Sequence, residues 1–134
     1  MQLATSANNH PWICNVHFYA DDALHIYWAS TPERRHSKYI AQNPHIAIAI
    51  KIHEDTPDER YVIGLCAEGD AQMLSAEETE TIMQAYVNKI GTPPALLNDI
   101  KQGKIRFYRL KPANFVLFDT KNFSENPRQK YAVK

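Results

Sequence analysis

From residue 30 to residue 38 the chain reads Ser-Thr-Pro-Glu-Arg-Arg-His-Ser-Lys, which gathers hydroxyls, cations and an imidazole directly after an apolar run. The chemistry this grouping serves is anion binding, above all of phosphate. Thr31 is a good N-cap and Pro32 suits the first helical position, where its missing N–H costs nothing, so a helix is predicted over residues 32–42. Unpaired N–H groups at its start, the positive end of its dipole, and the side chains of Ser30, Thr31, Arg34, Arg35, His36 and Lys38 can converge on one anion. A solvated cationic helix face would use the same residues, and the rest of the chain must decide between the two.

Other site chemistries find little support. There is no His-Glu-x-x-His or paired Cys-x-x-Cys, so no metal site is expected. The four glycines, at 64, 69, 91 and 103, fit neither a nucleophile elbow nor a P-loop. His17, Tyr19 and Tyr27 are the polar candidates for proton transfer, and none has a sequence-visible partner to tune it.

The elements that must position these residues fit one domain of 134 residues. Fifteen Lys plus Arg balance 15 Asp plus Glu, so no global field draws nucleic acid or an anionic membrane. Cys14 and Cys66 lie far apart in apolar surroundings, which predicts reduced thiols in a cytoplasmic protein. No apolar run is long enough to span a bilayer, and the N-terminal residues do not read as an export signal.

Residues 2–6 read as a strand, and Asn8-Asn9-His10-Pro11 as the turn into an alternating run over residues 12–19. In that run Trp12, Cys14, Val16 and Phe18 share one face, and Ile13, Asn15, His17 and Tyr19 the other. Asp21-Asp22 turns the chain into a strand over residues 24–29. After the first helix, Asn43-Pro44 stops it, and Ile46, Ile48, Ile50 and Ile52 alternate with small or charged residues in the clearest strand of the sequence.

Residues 54–60, with Pro57, read as a loop, and residues 61–74 as one long strand bent or bulged at Gly64 and Gly69. Ser75 and Glu78 form a capping box, with Glu77 and Glu80 near the positive helix end and Lys89 near the negative one. The helix runs to Ile90, where Gly91 ends it, and its Ile82, Met83, Tyr86 and Ile90 form a core-facing stripe. A short helix over residues 95–102 and two final strands, 104–111 and 114–120, complete the inventory. The tail from Lys121 is basic and polar without periodicity. Six or seven strands joined mostly by short turns, with two main helices, argue for a mainly β, antiparallel barrel with flanking helices.

The order Leu3-Ala4-Thr5, His10-Pro11-Trp12, Ser30-Thr31 through Lys38, Asn43-Pro44, Glu68-Gly69-Asp70-Ala71 and Tyr108-Arg109-Leu110-Lys111-Pro112 resembles the pyridoxamine 5'-phosphate oxidase-like, FMN-binding split-barrel family over nearly the whole chain. The resemblance implies a six- to seven-stranded antiparallel split β-barrel, a homodimer, and FMN in clefts at the subunit interface. Ser30, Arg35 and His36 fall where the family holds the flavin phosphate with a small hydroxyl residue and an Arg-Lys pair. Histidine replaces lysine at position 36, which either weakens the grip or shifts it toward Lys38 or Arg34. Asn15, Val16 and His17 correspond to the strand along the isoalloxazine ring, although His17 is equally suited to a structural role. Phe118 stands where some relatives place a tryptophan near the flavin, and is equally suited to a core. Arg128 is the tail residue best placed to reach a partner subunit's cofactor. Gly69 reads first as an architectural bend.

Two departures qualify the resemblance. Residues 119–127 replace the Arg-Leu-His-Asp-Arg type segment that binds substrate in the oxidase forming pyridoxal phosphate, so that activity is not expected. The family also carries a helix before the Leu-Ala-Thr strand, where this sequence begins; the helix is either absent or missing from a shortened chain. The resulting expectation is an FMN-dependent oxidoreductase of unassigned substrate, with deazaflavin, FAD or haem as alternative groups and a non-catalytic flavin or haem carrier as the alternative role. His10, His17, His25, His45 and His53 offer axial nitrogens, though none stands in a haem motif. A single-stranded nucleic-acid barrel using Arg34, Arg35 and Lys38 with Trp12, Tyr27 and Trp28 is disfavoured by zero net charge and a single basic cluster. Ala47 and Ala49 beside the isoleucine row, with aromatics in excess of one barrel interior, predict apolar surface for a symmetric partner.

Overall fold

Asn8 and Asn9 both adopt positive φ, 50° and 60°, as the two central residues of a type I′ hairpin turn require and as asparagine tolerates. They join β1 (Gln2–Ala7) to β2 (His10–Asn15), with Ala7 opposite His10. The computed structural model describes residues 1–52, 61–91 and 93–133, so the loop read over residues 54–60 and His53 lie outside the described residues. β2 ends at Asn15, and the alternating run breaks before β3 (Tyr19–Ala20), which pairs with β4 (Ile26–Ser30). Then follow α1 (Arg35–Gln42), β5 (His45–Ile52), β6 (Ile63–Met73), α2 (Ala76–Ile90), α3 (Pro94–Lys101), β7 (Arg106–Asp119) and β8 (Arg128–Ala132). The described residues form one antiparallel sheet of eight strands in the order β2-β1-β5-β6-β7-β4-β3, with β8 added on β7. The barrel is split: its end strands β2 and β3 are adjacent in sequence but not paired.

β4 and β7 make the wall between two cores. Ile26 and Trp28 of β4 and Tyr108 and Leu110 of β7 face the barrel, packed with Leu3, Ile46 and Ile48. Tyr27 and Phe107, one residue out of phase, join Leu74, Tyr86 and Ile100 beneath α2 and α3. Ile82, Met83 and Ile90 pack against this second core as their helical stripe predicts. Both predicted ends of α2 are present: the Ser75–Glu78 capping box closes, and Gly91 caps the C-terminus at φ 70°.

Four expectations require correction. α1 begins at Arg35, and Thr31 is not its N-cap. Pro32 instead occupies a turn in which the Thr31 carbonyl accepts the Arg34 N–H at 3.2 Å, using proline's fixed φ three residues before the helix. The strand read over residues 24–29 is displaced to Ile26–Ser30 because residues 21–25 close a turn, Asp21 N–H donating to the His25 carbonyl. The two final strands are one, β7, continuous through Pro112 because a register shift between Glu68 and Gly69 of β6 absorbs the proline. The tail supplies β8 on its own sheet, where Arg128 pairs with Phe118. Exposed on nearly its whole length, β8 has no burial to impose an alternating pattern.

Candidate functional site

A cleft of about 830 Å³ opens between the edge strand β2 and the end of β4. One rim is β2 and the residues that follow it, Trp12, Cys14, Asn15, Val16 and His17; the facing wall is Ala29 and Ser30 at the end of β4. Arg34, Arg35 and His36 close the polar end, and Tyr86, Leu96 and Ile105 line it from the helical side. One cleft therefore joins a cationic end to an apolar one.

At the polar end α1 starts without a side-chain cap. Its first N–H groups lack intrahelical acceptors, and the dipole adds positive potential there. The Arg35 guanidinium is held in place: its Cζ lies 4.5 Å from the centre of the Trp12 ring, and Nε and Nη2 donate to the Tyr39 hydroxyl at 3.0 and 2.8 Å. The cation is thus preorganised rather than free to wander, which lowers the entropic cost of using it. Ser30 is half-buried at the mouth of this end.

His36 does not act as a lysine would. It is buried, with Nε2 2.7 Å from Ser30 Oγ and Nδ1 3.3 Å from Cys14 Sγ. Burial, and then the nearby Arg34 charge, hold the imidazole below its ordinary range, so at neutral pH it offers hydrogen bonds and no charge. Burial also pushes the Cys14 thiol up, keeping it protonated.

Along the rim, Met1 and Val16 exchange both backbone hydrogen bonds, at 2.9 and 3.0 Å. By antiparallel alternation the N–H and C=O groups of Asn15 then point away from β1, toward the open edge, and His17 follows on the same rim. Val16 lines the cleft and packs its side chain against the barrel core.

Of the residues singled out in the sequence, the cleft brings together Asn15, Val16, His17, Ser30, Arg35 and His36. Thr31, Lys38, Phe118 and Arg128 do not line it. The Thr31 carbonyl is occupied by Arg34 and by the Ser37 hydroxyl, and Lys38 pairs with Glu33 at 3.1 Å. Arg128 instead borders a shallow groove with Ala47, Cys66 and Glu68 on another part of the sheet. Sequence reasoning missed Cys14, Leu96 and Ile105 as cleft residues and saw Tyr86 only as core. Among the described residues no cluster of His, Cys, Asp and Glu could hold a metal ion, and no helix is long and apolar enough to cross a membrane.

No family model matches the chain, and no curated protein does. Solved structures do. A heme binding protein from Mycobacterium smegmatis superposes with a TM-score of 0.77 at 15% identity, covering 98% of this chain and 51% of that one. A FAD-binding protein from Mesorhizobium loti matches at 0.65 and 17% identity, over 85% of this chain and 80% of its own. A candidate pyridoxamine 5'-phosphate oxidase from Listeria innocua matches at 0.60 and 18% identity, over 87% and 85%. The chain spans about half the length of the Mycobacterium smegmatis protein. These likenesses show the fold, a split barrel.

Proposed function

We propose that the cleft binds FMN and that the protein is a flavin-dependent oxidoreductase, distinct from the oxidase that forms pyridoxal phosphate. The carrying observation is the pairing, within one cleft, of a preorganised cation, a hydroxyl and an uncapped helix start with an apolar end bounded by Tyr86, Leu96 and Ile105. A phosphate with a planar ring attached matches that division. Arg35, Ser30 and the first N–H groups of α1 hold the phosphate. The backbone edge groups of Asn15, with the neighbouring His17, offer hydrogen bonds to the ring. Bound flavin would supply hydride transfer, while the chain supplies binding, orientation and exclusion of water.

The likeness to a FAD-binding protein and to a candidate pyridoxamine 5'-phosphate oxidase supports this reading. We also place the protein in a reducing cytoplasm, which suits the two free thiols, and read it as a homodimer. Trp12 and Ile13 stand exposed on the outer edge of β2, and an unpaired apolar edge is best covered by a symmetric copy. In that dimer Phe118 and Arg128 would serve the partner's cleft rather than their own.

Titration with FMN, followed by quenching of flavin fluorescence, with size exclusion reporting the oligomer, tests the reading. Saturable quenching on a dimer supports it. A folded protein that leaves flavin fluorescence unchanged overturns it, and a Soret shift on adding haemin would then favour the second reading, a haem carrier. That reading draws on His17, which lines the cleft, and on the haem-binding neighbour.

A further inference from the structure

Cys14, His36 and Ser30 form an unbroken side-chain chain from β2 through α1 to β4, all three on the cleft. They are 22 and 6 residues apart in sequence, so only the fold brings them together. Among the described residues the two ring nitrogens of His36 bond these two side chains and no carboxylate. Arg34, just before α1, and Arg35, its first residue, also line the cleft, and burial together with the Arg34 charge disfavours a second proton on the ring.

A neutral imidazole carries one hydrogen, which leaves two complete arrangements. In the first, the Cys14 S–H donates to Nδ1, Nε2–H donates to Ser30 Oγ, and the Ser30 hydroxyl hydrogen is free for the cleft. In the second, Ser30 gives its hydrogen to Nε2, Nδ1–H points at sulfur, and Ser30 presents only lone pairs. An anion beside Ser30 is attracted by the first arrangement and repelled by the second.

We infer that Cys14 is a positioning residue for a phosphate monoester: its thiol hydrogen fixes the proton of His36 on Nε2, and so turns the Ser30 hydroxyl hydrogen onto the ligand's phosphate. The inference rests on the phosphate-binding reading of the cleft. It gives the buried, uncharged His36 a part in the site, as the middle of a relay of neutral donors anchored at a thiol. The phosphate then binds without proton uptake at position 36.

The test is the tautomer of His36 in protein labelled with 15N-histidine, read from long-range proton–nitrogen spectra while inorganic phosphate, and then FMN, is titrated. The expected bound state has Nε2 protonated and Nδ1 bare. Cys14→Ala should weaken FMN binding about three- to tenfold, the scale of one modest hydrogen bond, and mix the tautomers, whereas Cys14→Ser restores both because its hydroxyl also donates. A bound His36 with its proton on Nδ1, or on both nitrogens, overturns the inference, as do Ala and Ser variants that behave alike. Should Cys14→Ala fail to fold, the wild-type tautomer still decides. Failure of wild type to bind either probe sinks the phosphate reading and the inference together; binding with the wrong tautomer sinks the inference alone.

Discussion

Gly69 of β6 presses directly on the carbonyl oxygen of Lys111 in β7, leaving no room for a Cβ; the Pro112 Cα and the Ala113 nitrogen crowd the same position, each 2.9 Å from where that atom would sit. This is where the bulge lets β7 pass through Pro112 without losing its partner strand. Gly69→Ala must therefore separate two backbones. It should lower stability by about 2–4 kcal/mol, at or above the usual range for overpacking. Gly64→Ala, whose Cβ would meet the Ile50 carbonyl at an ordinary 3.5 Å, should change it by under about 1 kcal/mol. Urea unfolding of the two variants checks the contrast, and equal midpoints would refute it.

Arg35→Ala should weaken FMN retention by about 1.5–3 kcal/mol, the value of a charge-assisted hydrogen bond, without unfolding the barrel. Lys38→Ala serves as the control. Its partner Glu33 is 84% exposed, and a solvent-exposed pair of this kind contributes under about 1 kcal/mol. Fluorescence titration of both variants should separate them, and equal losses would remove Arg35 from the phosphate site.

His36 makes stability depend on pH in a definite direction. Because burial lowers its folded value, the unfolded chain binds more protons below about pH 6.5, the ordinary histidine value. Stability is then complete above that pH and declines as the pH falls, until the folded value is passed. Urea midpoints from about pH 7.5 to about pH 5.5 should fall for the wild type and flatten in His36→Gln. Parallel profiles would show that His36 charges freely.

The Tyr27 hydroxyl donates to Asp21 Oδ2 at 2.8 Å, and burial followed by this bond pushes the phenol up to about 12. Since the folded state holds the proton more tightly, the associated stability is lost as the pH rises above about 10, the ordinary tyrosine value. Difference absorbance between wild type and Tyr27→Phe should show one phenolate forming late. Asp21→Asn should bring it forward, and an unmoved titration in that variant would dismiss the carboxylate as a cause.

Much of this fold is legible in the sequence because local chemistry and burial agree there. The paired asparagines specify the hairpin, Ile46 and Ile48 alternate into the core, and Ser75 with Glu78 marks the start of α2. Legibility fails where one of those signals is missing or serves another end. Residues 128–132 pair by backbone alone on an exposed edge, and Thr31-Pro32 carries the same residue preferences for a turn as for a helix start. The polar end of the cleft is readable from residues 30–38 because it is contiguous. Cys14 is not, because nothing local distinguishes a thiol facing a histidine 22 residues away from one facing a core. Tyr86, Leu96 and Ile105 sit at the apolar end for the same reason: only the packing of α2 and α3 on β4 and β7 brings them there.

The pairings that close the sheet join residues remote in the chain. Leu3 lies opposite Ile48, and Ile26 opposite Leu110. Such contacts are costly to form, because the entropy of closing long loops is lost before they repay it. Helix α1 packs on β1, whereas the end of β4 is held in place by β7, so the two walls of the cleft meet only when both long-range pairings exist. The cleft is in this sense a product of the finished fold. A ligand would lock the native state against unfolding, but it has no half-built site to grasp and cannot hasten folding.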